Sequence, residues 1–447
     1  MFALIDGNSF FASCERVFRP DLWRKPVIVL SNNDGCVIAR SEEAKKAGIP
    51  MGAPFFKISG LVERHGIAAF SCNYELYADL SARMMACVAS LAPALEVYSI
   101  DEAFADFSGI TDASALGVKI RHRVMRWIGI PACVGIGASK TLAKFSNHLA
   151  KRNPRFSGVC NWLDLTETER LQWMRSTSVF DLWGIGRKLG EKLLEQRIRT
   201  VFDLYGADPA LMRRRHSVTV ERIVHELHGI PCLELEEISP AQRQVLRSRS
   251  FAEEVSDIGE IKAAVSRHAH SAAAALRRWN GLASCVGVMI RTNRFKAERH
   301  FGWDVTSLPA PSSDTLVLSA AATRLAGRIF RPGMKYKKAG VVLLELVDAN
   351  TRTGDLFNPG DSERSRALMQ TIDSINSRYG GEAVKSAAEL VGTKWHTRRE
   401  RLSPRYTTRW DELRRVDAGT TNTGFKEPVS PRRPDFSPPR SESATRA

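Results

Sequence analysis

The stretch Val97–Phe107, V-Y-S-I-D-E-A-F-A-D-F, is rich in apolar, aromatic and β-branched residues and is predicted to form one strand. Two adjacent carboxylates, Asp101 and Glu102, interrupt it. A charge pair in a buried strand is costly unless it is compensated, and a divalent cation is one such compensation. The alternative is a strand end where both acids point into water, which is the commoner arrangement for an Asp-Glu pair.

A third carboxylate ends the first strand of the chain. The apolar run M-F-A-L-I stops at Asp6. Two apolar strands that each end at an Asp can place both acids at one edge of a sheet, as a phosphoryl-transfer site with two metal ions requires. The pattern therefore favours a metal site that contains Asp6, Asp101 and Glu102.

Length and charge narrow the class of protein. A chain of 447 residues is expected to hold about two to four domains. Lys and Arg number 65 against 49 Asp and Glu, which gives a formal net charge of +16 and indicates a polyanionic partner such as nucleic acid. A basic enzyme without such a partner is the alternative.

Cysteine spacing and hydropathy exclude other classes. The eight cysteines occur singly without a C-x-x-C pair, so neither a zinc module nor a disulfide framework is expected, and a reduced cytosolic interior fits best. We find no signal segment and no run of about 18 apolar residues, so we expect a chain that is neither secreted nor membrane-spanning.

Three segments of the N-terminal half carry a family resemblance. After the first strand, a turn and a helix with Ser9 as its predicted N-cap give D-G-N-S-F-F-A-S-C-E. A strand, a turn and a paired strand give K-P-V-I-V-L-S-N-N-D-G-C-V-I-A-R, and a helix with a Ser cap follows over residues 41–48. With Y-S-I-D-E-A-F, these segments resemble the Y family of translesion DNA polymerases, and within it the UmuC type, to which the catalytic subunit of bacterial DNA polymerase V belongs.

The resemblance covers residues 1–415 and implies a right-hand fold of the α+β class. It implies palm, fingers, a thumb with a helix-hairpin-helix and a split-βαβ little finger. The expected domains are palm (1–24 and 73–165), fingers (25–72), thumb (166–238), little finger (242–348), a UmuC-type C-terminal region (349–416) and a disordered tail (417–447).

By the same resemblance, Asp6, Asp101 and Glu102 are the catalytic carboxylates and bind two Mg²⁺ ions. One ion lowers the pKa of the primer 3′-hydroxyl, and the other neutralises the triphosphate. Neighbouring strand residues face opposite sides, so Asp101 and Glu102 can both reach metal only where the strand bends or ends. Asp106 lies about 13 Å further along the strand and is interpreted as structural.

Phe11 matches the family's steric gate, an aromatic ring under the sugar that excludes a 2′-hydroxyl. Its neighbour Phe10 is expected to pack in the core. Ile38 and Ala39 match positions that cover the nascent base pair, where small side chains suit damaged templates.

The positions that bind the incoming nucleotide depart from the family pattern. Many relatives have a Tyr and an Arg where this chain has Glu42 and Lys45, so Lys45 meets phosphate only as a point charge. The segment G-I-G-A-S-K is a weak phosphate-loop signal by itself. In context it precedes a helix whose Lys151 matches the family's triphosphate lysine, whereas Lys144 is expected on a solvated face.

Two later segments are expected to contact DNA. L-W-G-I-G-R-K-L-G over residues 182–190 resembles a helix-hairpin-helix turn, whose free amide groups and basic residues hold phosphate at Gly184, Gly186, Arg187 and Lys188. From residue 242 the predicted order is β-α-β-β-α-β, a split-βαβ domain. Residues 243–345 have 17 Lys and Arg against 8 Asp and Glu, whereas residues 1–165 have 19 against 15. The expected phosphate contacts, each of which has solvent exposure as its alternative, are Arg247, Arg249, Arg291, Arg294 and Lys296.

The C-terminal region suggests protein partners. Leu356 and Phe357 lie where relatives carry a sliding-clamp peptide, although a loop that packs on its own domain is an equal alternative. The resemblance links the region over residues 363–415 to partner binding, and implies UmuD′-like subunits and RecA. The tail is rich in Pro, Ser, Thr and Arg and is expected to be disordered.

The expected function is error-prone, template-directed DNA synthesis across damaged bases in the SOS DNA-damage response. The substrates are damaged primer–template DNA and dNTPs, and the expected location is the bacterial cytoplasm, at the nucleoid. One alternative is a non-catalytic Y-family scaffold that binds DNA, but such scaffolds lack the metal carboxylates. A generic nuclease is disfavoured because the acids come with the gate and fingers motifs.

Overall fold

A computed structural model describes residues 1–236, 242–351, 360–379, 383–391, 395 and 397–414. The strands are β1 (Phe2–Gly7), β2 (Val27–Leu30), β3 (Val37–Arg40), β4 (Ala68–Ser71), β5 (Leu95–Val97), β6 (Glu102–Asp106), β7 (Ala132–Gly137), β8 (Val159–Asn161), β9 (Val245–Val255), β10 (Gly281–Thr292), β11 (Phe301–Ser312) and β12 (Tyr336–Asp348). The helices are α1 (Phe10–Val17), α2 (Glu42–Lys46), α3 (Phe55–Arg64), α4 (Tyr74–Ala89), α5 (Ala113–Ile128), α6 (Lys140–Arg152), α7 (Glu167–Ser176), α8 (Arg187–Glu195), α9 (Val201–Tyr205), α10 (Pro209–Arg215), α11 (Val218–Leu227), α12 (Ile258–Arg277), α13 (Thr315–Ile329) and α14 (Glu363–Tyr379). None of the helices in these ranges is long and apolar enough to cross a membrane.

The first sheet has five strands in the order β5-β6-β1-β7-β8. The prediction of a single strand over residues 97–107 is wrong, because the chain turns between β5 and β6 and the two pair as an antiparallel hairpin. Ser99 makes this turn possible, since its hydroxyl accepts hydrogen bonds from the backbone N–H groups of Asp101 and Glu102 (3.3 and 3.1 Å). The strand that carries the acidic pair therefore begins at Glu102, and Asp101 lies in the turn.

Helix α6 covers one face of this sheet at very short range. Gly135 and Gly137 of β7 lie directly under it, and a Cβ at Gly135 would be 2.1 Å from the backbone nitrogen of Asn147. The Asn147 side chain donates to the carbonyl of Cys133 (2.9 Å) and to that of Leu4 (3.3 Å), which ties α6 to both β7 and β1. Helices α1, α4 and α5 contribute to the core cluster on the other face.

The second sheet, in the order β3-β2-β4, follows the predicted turn-linked strand pair. Ser41 caps α2 as expected, because its hydroxyl accepts from the Ala44 N–H (3.3 Å). Ser9 occupies the N-cap position of α1 as predicted. Ser9 has φ 47°, and its side chain makes no capping hydrogen bond.

Helices α7–α11 form a helical cluster whose core, which includes Ile185, Leu193 and Val224, is continuous with α6 and β8 of the first sheet. Gly184 precedes α8 with φ +87°, a conformation that disfavours other residues.

The third sheet confirms the predicted split-βαβ order. Its strands lie in the order β11-β10-β12-β9, and all neighbouring pairs are antiparallel. Helix α12 connects β9 to β10, and β12 lies between these two strands in the sheet. Helix α13 connects β11 to β12, and β10 lies between those two. Strand β11 is one of the long strands of this sheet and ends at Ser312.

The last described residues, 397–414, form a segment that we call the C-terminal strap. It runs back over the N-terminal half, where the Ser71 N–H donates to the carbonyl of Arg401 and the Arg401 N–H donates to the Ser71 hydroxyl (both 3.0 Å). Tyr406 stacks on Phe18 with ring centroids 4.6 Å apart. The clamp residues Leu356 and Phe357 and the tail at 417–447 lie outside the described residues.

Gly135→Ala should destabilise the protein, because its Cβ would also lie 2.2 Å from the carbonyl oxygen of Ala143, so α6 would have to move off the sheet. We expect a loss of about 3 kcal/mol or more in the free energy of unfolding, measured with denaturant. Gly60→Ala is the matched control, since nothing lies within 4 Å of its Cβ position, and it should gain about 0.5 kcal/mol. Equal stability of the two variants would contradict this packing.

Glu15 of α1 is fully buried beneath the strap. Burial raises the pKa of Glu15 from 4.5 to about 7, although hydrogen bonds from Tyr77 and Ser403 act in the opposite direction. The folded chain thus holds this proton more tightly than the unfolded chain. Its contribution to stability is complete below the unfolded pKa of 4.5 and is lost as the pH rises through the folded pKa of about 7.

The free energy of unfolding should therefore fall by up to roughly 3 kcal/mol across this pH window through Glu15 alone. Glu15→Gln should lack that part of the pH dependence, because Gln does not titrate. Denaturant unfolding of both proteins across the window measures the difference, and parallel pH profiles would be the contrary result.

Candidate active site

Asp6 and Glu102 face each other across β1 and β6. They are register partners at the end of the β1–β6 ladder, and they share the face of the sheet on which Leu4 and Phe104 also lie. Burial raises the pKa of Asp6 to about 7, and its hydrogen bond with Glu102 adds to this effect. Burial would also raise the pKa of Glu102, but hydrogen bonds from Asp6 and Lys144 outweigh it and lower that pKa. Asp6 therefore keeps its proton up to a pH of about 7 and shares it with Glu102 through this hydrogen bond.

Two lysines of α6 complete the charge balance of this pair. Lys151 forms an ion pair with Asp6, and Lys144 lies 2.7 Å from Glu102. The face of the sheet that carries the acids is the face that α6 covers, so the helix brings both lysines to them.

Lys144 is a residue that the sequence prediction placed wrongly, on a solvated face. Its ammonium group lies 4.6 Å from the ring centroid of Tyr98 and 5.3 Å from that of Trp183, in addition to its contact with Glu102. The sequence could have indicated this position. Lys144 precedes Lys151 by seven residues, which is about two helical turns, so both side chains lie on the same face of α6.

Asp101 does not join the pair in this structure. Its carboxylate accepts a hydrogen bond from the Ser99 hydroxyl (2.6 Å), and its carbonyl accepts from the Gly7 N–H (2.8 Å). Within the ranges that the structure describes, no three His, Cys, Asp or Glu side chains form a cluster that could hold a metal ion. The Gly7 bond nevertheless anchors the turn of Asp101 to the end of β1, next to Asp6.

A cleft of about 220 Å³ opens beside Asp6 and Glu102. The lysines of α6 line one side, and Asp181 and Trp183, which precede α8, line another. The donor set fits a hard divalent cation, because two neighbouring carboxyl groups that share a proton lose it readily to such an ion and supply the oxygen ligands it prefers.

Phe11 lies in an aromatic group on the other side of β1. Its ring stacks on Tyr77 with centroids 4.6 Å apart and planes at 17°, and meets Tyr74 edge-on at 5.9 Å. Phe11 is partly exposed, whereas Phe10 is buried in the core as expected. Ile38 and Ala39 of β3 belong to the same apolar cluster as both phenylalanines, the former at its edge and the latter in its core.

Lys45 lies apart from this group on the surface of α2. It forms an ion pair with Glu42, the residue at the other position that departs from the family pattern. Both side chains are exposed, at 40% for Lys45 and 69% for Glu42.

The expected DNA contacts fall on two surfaces. Gly184, Gly186, Arg187 and Lys188 are all exposed at the N-terminus of α8, where Gly186 is the N-cap. Exposed backbone N–H groups at a helix N-terminus favour an anion such as phosphate.

The other basic residues lie on both faces of the third sheet. Arg247 and Arg249 pair with Val341 and Ala339, whose side chains are in the core under α12 and α13, so these arginines point to the helix side at the edge strand. Arg291 pairs with Lys338 on the open face. In the loop that follows β10, Arg294 is exposed, and Lys296 forms an ion pair with Glu254 (2.7 Å).

Family models match three parts of the chain. Residues 5–148 match the impB/mucB/samB family, and residues 242–356 match the C-terminal domain of that family. Residues 366–416, which include the whole strap, match a domain of unknown function.

Curated relatives match over nearly the whole chain. Protein UmuC of Salmonella typhimurium is 41% identical over 423 residues, which cover 93% of this chain and 100% of the relative. Protein MucB of Escherichia coli is 42% identical and covers 92% and 99%. DNA polymerase IV of Moorella thermoacetica is 30% identical and covers 87% and 96%.

Solved structures confirm the predicted fold class. A Y-family DNA polymerase chimera of Dbh and Dpo4 superposes with a TM-score of 0.63 at 20% identity, over 78% of this chain and all of that chain. An insertion ternary complex of Dbh DNA polymerase superposes with a TM-score of 0.52 over the same shares. The chain therefore belongs to the impB/mucB/samB family, as a UmuC-type member of the Y-family DNA polymerases.

Proposed function

We propose that this protein carries out error-prone, template-directed DNA synthesis across damaged bases, in the bacterial SOS DNA-damage response. The observation that carries the proposal is the paired carboxyl groups of Asp6 and Glu102, which line a cleft together with Lys144 and Lys151. A metal-dependent nucleotidyl transferase needs such a group of acids and cations, whereas a DNA-binding scaffold does not.

Asp6, Asp101 and Glu102 are the residues we assign to two Mg²⁺ ions. When bound, the ions lower the pKa of the primer 3′-hydroxyl and neutralise the triphosphate. Asp6 gives up its shared proton in that state, and its pairing with Lys151 loosens. Lys151 is then available to the triphosphate, with Lys45 as a second point charge from α2.

Phe11 serves in this proposal as the floor under the sugar of the incoming dNTP. Tyr77 supports its ring from below through the stacking contact. Ile38 and Ala39 cover the nascent base pair from β3. Their small size leaves room for a damaged template base.

Damaged primer–template DNA is held by the basic surfaces. The exposed N-terminus of α8, with Gly184, Gly186, Arg187 and Lys188, binds one backbone phosphate. The third sheet binds other backbone phosphates through Arg291, Arg294 and Lys296. Arg247 and Arg249 contribute from the edge strand β9. The net positive charge of residues 243–345 supports this assignment.

We assign the domains accordingly. The palm is 1–24 and 73–165, the fingers 25–72, the thumb 166–238, the little finger 242–348 and the C-terminal region 349–416. The three sheets and the helical cluster fall within these limits. We further propose UmuD′-like subunits and RecA as partners, a sliding clamp that binds Leu356 and Phe357, and a cytoplasmic, nucleoid-associated location.

Asp101→Asn should reduce primer extension past an abasic site by roughly a hundredfold or more, because a neutral amide binds a divalent cation far more weakly than a carboxylate does. Extension is measured with the full chain, with and without UmuD′-like subunits and RecA–ATP. Asp106→Asn is the matched control: it lies on the same hairpin, but its carboxylate accepts from the Ser108 N–H (2.8 Å), at the opposite end of β6.

Extension that survives Asp101→Asn would contradict the metal assignment. No extension by the unaltered protein under any of these conditions would favour the scaffold.

Phe11→Ala should admit ribonucleotides, because removal of the ring opens the space that a 2′-hydroxyl would occupy. The measurement is the ratio of kcat/KM for a dNTP to that for the matching rNTP, which should fall by roughly tenfold or more. Phe10→Leu is the control, since Phe10 is buried in the core. An unchanged ratio in Phe11→Ala would remove Phe11 from sugar selection.

A further inference from the structure

The C-terminal strap crosses the junction between the first two sheets. Arg398 and Glu400 donate their N–H groups to the side chains of Asn33 and Asp34, in the turn between β2 and β3 (both 3.0 Å). The Asn73 side chain, at the start of α4, donates to the Ser403 carbonyl (3.0 Å) and hydroxyl (2.9 Å). The strap is therefore held on both sides of the junction by hydrogen bonds to specific groups.

One strap residue enters a buried polar group. Ser403 is 7% exposed, and its hydroxyl donates to Glu15 Oε1 (3.0 Å). The Tyr77 hydroxyl donates to the same oxygen (2.6 Å). Glu15 and Tyr77 are both fully buried. These two donors, 326 positions apart in the chain, meet on one carboxyl oxygen.

The same group ends at Phe11, in the aromatic group on the other side of β1 from the cleft. The Tyr77 ring stacks on Phe11, and its hydroxyl at the far end is fixed by Glu15. A buried aromatic ring that is held at its polar tip has little freedom to tilt. The contact series Ser403–Glu15–Tyr77–Phe11 thus runs from the strap to the partly exposed face of Phe11.

We propose that the strap sets the position of Phe11 and thereby tunes sugar selection, with Ser403, Glu15 and Tyr77 as positioning residues. This inference rests on the proposed role of Phe11. The difference between the two sugars is one hydroxyl group, so a shift of a few tenths of an ångström in the floor changes how well that group is excluded. Close-packed interiors transmit shifts of this size between neighbouring side chains.

A strap that only stabilised the fold would act differently. Loss of stability lowers the fraction of active protein, which scales kcat/KM for dNTP and rNTP by the same factor. The ratio of the two values therefore does not change. A change in the ratio requires that the site itself has changed.

The test is single-nucleotide incorporation by the full chain carrying Ser403→Ala or Tyr77→Phe, with a dNTP and its matching rNTP. Each variant should lower the dNTP-to-rNTP ratio of kcat/KM by roughly three- to tenfold, the effect of one hydrogen bond to a buried carboxyl group. Because both act through Glu15, the double variant should fall short of the product of the two effects. Thr408→Ala is the matched control, since Thr408 is an exposed residue of the same strap, and its ratio should not change.

Phe11→Ala is measured alongside. If Phe11→Ala lowers the ratio while Ser403→Ala and Tyr77→Phe do not, Phe11 selects the sugar but the strap does not position it, and the proposal is overturned. If Phe11→Ala leaves the ratio unchanged, the proposed gate fails and the positioning role fails with it. Thermal unfolding of each variant is measured in parallel, and a change in the ratio by a variant that melts like the unaltered protein supports the proposal directly.

Discussion

The close contact between α6 and β7 is the constraint on which the rest of the site depends. Gly135 and Gly137 leave no side chain between helix and sheet, so α6 lies almost on the strand backbone. That distance lets Asn147 bond the carbonyls of two strands and lets Lys144 and Lys151 reach carboxyl groups at the strand ends. With any larger residue at Gly135, the helix would move outward and the lysines with it.

Electrostatics explains why a buried acidic pair is tolerated there. Two carboxylates at this distance repel each other, so the pKa of Asp6 rises while that of Glu102 falls, and Lys151 and Lys144 each pair with one of them. A buried group of acids and lysines lowers the stability of the fold relative to apolar residues of the same size. Such a cost is typical of a site that is kept for its chemistry. A divalent cation is the natural replacement for the shared proton, and the proposed reaction uses that exchange.

The strap adds a second link between distant parts of the chain. It brings Ser403 to Glu15 and, through Tyr77, to the ring of Phe11. The region that the family resemblance connects with partner binding is thus in physical contact with residues around the first two sheets. A partner that moved the strap would also move Ser403. Glu15 would then lose one of the two hydroxyl groups that donate to it.

Local sequence determined several elements. The first strand with Asp6 near its end, the turn-linked strand pair and the β-α-β-β-α-β order follow from hydrophobic period and turn residues, which act over a few positions. Tertiary structure decided the rest. The pairing of β6 with β1 decides that Glu102 faces Asp6, and the contact of Lys144 with Trp183 depends on how α6 packs beside the residues that precede α8. Glu15 and Ser403 are 388 residues apart, and no local pattern signals their contact. Such pairs are fixed only when burial removes water and leaves each polar group one available partner.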